Sequence, residues 1–83
     1  MIIINQEGKE IKLSNIYSVV LNPTVLNVDD TKYNYIEITT INKNLPTHYI
    51  VGKYIDTKKA EETLCQIIDA YRDNLPIFVM PTE

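Results

Sequence analysis

His48 and Cys65 are the residues best able to move a proton or attack an electrophile, and the chain has one of each. Neither has a partner at a useful spacing. A histidine metal site or dyad needs a second group, and a lone histidine at the start of a strand is ordinarily structural. Cys65 falls at the edge of a helical stripe, where a small residue packs, and no base is spaced to activate it. Asp29 and Asp30 are neighbouring carboxylates in a polar stretch, a pairing that keeps a loop tip soluble more readily than it holds a cation. Glycine occurs only at positions 8 and 52, too few for a phosphate-cradling loop. The patterns G-x-S-x-G, H-E-x-x-H and C-x-x-C are missing. The residues therefore predict a binding protein rather than an enzyme, with no catalytic residue, no metal site and no cofactor.

Two patterns point to binding. Lys58 and Lys59 open a helix, where the macrodipole favours acids, and Asp73 sits near its end, where bases are favoured; each misplacement costs about 0.3–1 kcal/mol. Lys58 and Lys59, with the Thr57 hydroxyl, Lys53 and the free N–H groups of the first turn, form a candidate site for a phosphate or carboxylate. Lysines pointing into water are the plainer explanation of the same residues. The second pattern is aromatic: six tyrosines, one phenylalanine and no tryptophan. Tyr33 and Tyr35 share a strand face with Glu37 and Ile41, which makes those four a candidate interface. The plainer alternative is tyrosines bordering a core with their hydroxyls in water. A net charge of −3, with no aromatic motif interleaved with Arg or Lys, argues against nucleic acid as the partner.

The element that must position these residues is the helix spanning 57–74, TKKAEETLCQIIDAYRDN. Ala60, Leu64, Ile67, Ile68, Tyr71 and Leu75 recur at steps of three and four and form an apolar stripe. Glu61, Glu62, Gln66, Asp69 and Asp73 take the flanks. Thr57 is the expected N-cap, Asn74 the left-handed closing residue, and Pro76 the stop.

Strands account for the rest. Ile2–Ile4 and Glu10–Leu13 make a hairpin around Gln6-Glu7-Gly8-Lys9, and Ser14-Asn15 is a short break. Ile16 to Leu21 resumes as a strand, which Asn22-Pro23 is expected to end. A short strand with Val25, Leu26 and Val28 precedes a polar tip at 29–32. Tyr33 to Ile41 follows, with Asn34, Ile36, Ile38 and Thr40 on one face and Tyr33, Tyr35, Glu37, Thr39 and Ile41 on the other. Residues 42–46 read as a turn and 47–55 as a strand, Gly52 marking a bulge or a close backbone approach. Ile77–Met80 is a final strand stopped by Pro81.

The fold class is thus α+β: an antiparallel β-meander of five or six strands, one C-terminal helix and a short last strand. Short connections require antiparallel neighbours, and only the helix gives the last strand reach to pair elsewhere. Eighty-three residues make a single domain, 1–83, with a core of modest size. One helix cannot cover such a sheet on both sides. Either the sheet curls into a half-barrel with the helix as plug, or its second face meets another chain, and self-association is the favoured outcome. Ile2–Ile4 is too short for a signal sequence and no stretch spans a bilayer, so no membrane partner and a cytoplasmic location are expected; one cysteine fits a reducing compartment.

The segment Tyr49-Ile50-Val51-Gly52-Lys53-Tyr54, then Thr57 and Ala60, then Ile67-Ile68-Asp69-Ala70-Tyr71 and the ending Val79-Met80-Pro81 resemble small uncharacterised proteins of Gram-positive bacteria and their phages. An N-terminal strand entering a Gln-Glu-Gly turn also fits, and the excess of Ile, Asn and Lys suits an AT-rich genome. The likeness covers about half the chain, leaves 22–32 without a counterpart, and brings no activity or site with it. It implies a β-sheet with a C-terminal helix and, for a phage-borne protein, inhibition of a host protein. The functional expectation is a homo-oligomeric interaction module offering the Tyr33/Tyr35 face or a sheet edge to a protein. The alternative is an oligomer that sequesters a nucleotide-like anion at its helix N-termini and subunit interfaces.

Overall fold

The computed structural model describes residues 1–25 and 31–83. The order of elements is β1 (Ile2–Ile4), β2 (Glu10–Lys12), β3 (Ile16–Val25), β4 (Lys32–Asn42), β5 (Leu45–Tyr54), α1 (Thr57–Arg72) and β6 (Ile77–Val79). This is the α+β order that the hydrophobic periods predict. The six strands do not form one sheet: β2-β1-β6 is one and β3-β4-β5 the other. The division falls at Ser14-Asn15. Asn15 takes a left-handed conformation, φ 58°, which turns the chain out of the first sheet. Its carbonyl then accepts from Ile41 N at 3.0 Å, and its side-chain amide donates to Asn42 Oδ1 at 2.7 Å, anchoring the start of β3 beside the end of β4. All neighbours are antiparallel except β1 and β6, which run parallel because the helix carries the chain back.

Asn22-Pro23 does not end β3. The strand continues through it, Asn22 opposite Tyr35 and Pro23 opposite Asn34. β3 lies at a sheet edge, where a residue with no N–H costs no ladder bond if that side faces outward. The expected strand with Val25, Leu26 and Val28 overlaps the end of β3 at Val25, and its remainder, with Asp29-Asp30, lies outside the described residues. The turn read at 42–46 contracts to Lys43-Asn44, with φ 53° and 64°, a two-residue connection of the twist that suits a hairpin. Leu45 and Pro46 join β5 opposite Asn42 and Ile41.

Asn34, Ile36, Ile38 and Thr40 are all buried at 1% exposure or less, so this face of β4 looks inward. It meets Ala60 and Ile67 of α1, Val51 and Tyr54 of β5, Ile3 of β1, and Leu13 and Met80 just beyond β2 and β6 in one cluster. Ile11 and Phe78, opposite Ile3 in register, pack partly buried against it. Gly52 sits at the irregular pairing between Ile36 and Glu37. A Cβ there would stand 2.6 Å from Met80 Cε and 2.9 Å from Tyr54 Cε2. Both readings of that glycine, bulge and close approach, hold.

The helix buries a different stripe from the one its large residues mark. Ala60, Thr63, Ile67 and Ala70 are buried, Leu64 is half-buried, and Ile68, Tyr71 and Leu75 are 42–49% exposed. Small side chains let the helix lie close to the sheet, and the larger ones are displaced to its flank. Thr63 is accommodated because its hydroxyl donates to Lys59 O at 2.8 Å. At the far end Asn74 is left-handed, φ 57°. Asn74 N bonds Tyr71 O at 3.1 Å and Leu75 N bonds Ala70 O at 3.0 Å, the paired closure of a Schellman motif.

Candidate functional site

Alternation along β4 turns Tyr33, Tyr35, Glu37 and Ile41 away from the helix, and register fixes what stands beside them. Val20 and Ile50 flank Glu37, Asn22 and Lys53 flank Tyr35, and His48 pairs with Thr39. The result is an outer sheet face that α1 does not cover. Its rim is apolar: Val20 is 39% and Ile50 59% exposed, and Tyr17, pushed out by the register shift beside Ser18, is 72% exposed.

Glu37 ties the centre together. Its Oε2 accepts from Asn22 Nδ2 at 3.3 Å, and its Oε1 lies 3.3 Å from His48 Nδ1. Thr39 Oγ1 is 2.9 Å from that same nitrogen. An acid–base relay needs the acid on one ring nitrogen and the nucleophile on the other. Here both neighbours meet Nδ1, so the trio orients the imidazole and leaves Nε2 toward solvent. Toward the other end the rings of Tyr33 and Tyr35 lie 6.3 Å apart at 45°, and the Lys53 ammonium sits 4.2 Å above the Tyr33 ring, a cation–π distance. Tyr33, Tyr35 and Lys53 form one amphipathic surface, Glu37 adjoins it, and Ile41 lies farther along the same face beside Pro46.

The lysines of the candidate anion site do not act as a group. Lys53 belongs to the outer face, whereas Lys58 and Lys59 lie on the first turn of α1. Thr57 is not the N-cap. Asp56 is, with φ −75° and ψ 114°, its carboxylate accepting from Lys58 N and Lys59 N. The Thr57 hydroxyl instead accepts from buried Asn34 Nδ2 at 3.3 Å. Ile55 N and Asp56 N donate to the Glu83 carboxylate at 2.9 and 2.6 Å. Two carboxylates of the chain thus occupy the entry to the helix, and they also answer the charge conflict raised by Lys58 and Lys59. Asp69 pairs with Arg72 in the last turn.

Cys65 is exposed rather than packed, and Glu61 and Glu62 face solvent. Tyr54 is the described titratable group with a perturbed proton. Burial pushes its hydroxyl above the usual tyrosine value, the Thr63 hydroxyl opposes this, and the Glu83 carboxylate adds to it. The same hydroxyl donates to Pro81 O at 2.7 Å, which holds the tail of the chain rather than a ligand. Among the described residues no group of three His, Cys, Asp or Glu side chains is placed to hold a metal ion.

A cleft of about 180 Å³ opens beside the face, between the β1–β2 turn and β5. Sequence reasoning missed what shapes it. Gln6 pairs its side-chain amide with β5, accepting from Lys53 N at 2.7 Å and donating to Lys53 O at 3.0 Å. Nothing in the local pattern marks Gln6, because its partner is far along the chain. The described residues contain no helix long and apolar enough to cross a membrane. No family model, no curated protein and no solved structure matches the chain.

Proposed function

We propose that the chain is a homo-oligomeric, non-catalytic interaction module that presents the outer face of β3-β4-β5 to a protein partner. The observation that carries this reading is the uncovered tyrosine-rich face: Tyr33 and Tyr35 with Lys53 at one end, Glu37 tied to Asn22 and His48 at the centre, and exposed Val20 and Ile50 at the sides. Aromatic side chains with a fixed cation and a fixed carboxylate give area and orientation together, as at protein interfaces. The face is favoured over the edges of this sheet. β3 carries Pro23, while β5 carries Pro46, an irregular pairing and the Gln6 clamp, all of which obstruct strand addition. The phage resemblance makes a host protein the partner class, with inhibition as the outcome of its capture.

The test is capture from a host lysate with the wild-type chain, Y33A/Y35A and Glu37→Lys. The expected result is a protein retained by the wild type and lost with both outer-face variants. Equal capture by all three would refute the assignment of this face. A thermal shift of several degrees with one nucleotide, abolished by K58E/K59E, would replace the reading with anion sequestration.

A further inference from the structure

β6 is a short edge strand of three residues, set between Pro76 and Pro81, but within it lie none of the charges, irregular pairing or clamps that mark the other edges. β2 carries Glu10 and Lys12 at its edge, and β3 and β5 are blocked by proline, irregular pairing or the Gln6 clamp. β6 is Ile77-Phe78-Val79, with Ile77 53% and Val79 64% exposed. Pro76 O accepts from Ile2 N and Met80 N donates to Ile4 O, both at 2.8 Å. The two-residue period of a strand therefore turns the backbone groups of Phe78 toward β1 and those of Ile77 and Val79 to the open side. Where the chain enters this strand, exposed Tyr71 and Leu75 line a cleft together with Met1, Asn74 and Pro76.

We propose that two copies of this chain join through β6, antiparallel across a two-fold axis at Phe78. Ile77 of each copy then faces Val79 of the other and exchanges both backbone hydrogen bonds with it, and the two sheets become one of six strands. A second copy fits because this edge is its own complement. The free N–H and C=O groups of Ile77 and Val79 are two residues apart and match themselves when reversed. The side-chain rows match as well. Glu10, Ile4 and Val79 of one copy continue into Ile77, Ile2 and Lys12 of the other, so each row ends in opposite charges and no like charges meet. A stable dimer covers about 800 Å² per protomer, from a surface of 5572 Å². Three residues of ladder do not reach that, and Tyr71 and Leu75, leading into β6, supply adjoining apolar area. The contact specifies the self-association proposed above and is independent of the partner taken by the outer face.

Sedimentation of the full chain from micromolar to millimolar concentration tests it, with amide exchange followed over the same range. The expected result is a dimer in which exchange at Ile77 and Val79 slows as concentration rises. Val79→Lys, at a position already exposed, weakens association roughly tenfold or more, and Val20→Lys on the outer face leaves it unchanged. A wild-type chain monomeric to millimolar concentration overturns both the β6 contact and self-association. A dimer that ignores Val79→Lys but is broken by Val20→Lys, or one whose Ile77 and Val79 amides exchange independently of concentration, overturns the β6 contact alone.

Discussion

Individual residues show where the interior is tight and where it is unfulfilled. Thr40 is buried at 1% exposure, and its hydroxyl has no hydrogen-bond partner. Exchanging that hydroxyl for a methyl group removes a desolvation penalty of about 1–3 kcal/mol and enlarges the side chain only slightly. Thr40→Val is therefore expected to raise stability by roughly 1 kcal/mol in urea unfolding. Gly52→Ala has the opposite sign. Met80 can shift its terminal methyl, but the Tyr54 ring is pinned through its hydroxyl to Pro81 O, so a loss of about 1–3 kcal/mol is expected, with unfolding at lower denaturant. Tyr54 also sets an alkaline limit. Its folded hydroxyl titrates above the unfolded value of 10.0, so the unfolded chain binds fewer protons between the two values. Its contribution is whole below pH 10 and is lost as pH rises through the folded pKa. Thermal unfolding should thus show stability falling above that pH, with a shallower fall in Tyr54→Phe.

Elements depend on how their ends are held. The start of α1 rests on Asp56, so Asp56→Ala is expected to cost roughly 1 kcal/mol. Thr57→Ala removes an acceptor from Asn34, not a cap, and the two substitutions separate in character. Loss of Asp56 increases fraying at the first turn, seen as faster exchange at Lys58 and Lys59, whereas loss of the Thr57 hydroxyl leaves those amides protected. The same logic explains why Lys58 and Lys59 are tolerated where the helix dipole disfavours them: Asp56 and Glu83 place two carboxylates at that end.

At the scale of the whole molecule, two surfaces divide the proposed work. In the proposed arrangement the outer face of β3-β4-β5 takes a partner and the β6 edge a second copy. Because folding and β6 pairing are linked, the melting temperature of the wild-type chain should rise with protein concentration, and that of Val79→Lys should not. Scanning calorimetry over a hundredfold concentration range measures this directly.

Local pattern alone determined the helix, its closure at Asn74, the strand phase of β4 and the special character of Gly52. Each of these follows from the sterics and periodicity of a few adjacent residues. It also set Tyr33, Tyr35, Glu37 and Ile41 on one face, since alternation leaves no freedom there. What only the tertiary structure decided involves residues far apart in the chain. The division into two sheets turns on Asn15 reaching Ile41 and Asn42. The buried stripe shifts to Ala60, Thr63 and Ala70 because close approach to the sheet rewards small side chains over large ones. The helix cap passes from Thr57 to Asp56 because Asn34, from another strand, claims the threonine hydroxyl. His48 acquires Glu37 and Thr39 only through pairing between β4 and β5, and the exposed edge of β6 exists only because the helix returns the chain beside β1. Sequence periods report what each segment prefers, and packing among distant segments selects which of those surfaces is left open.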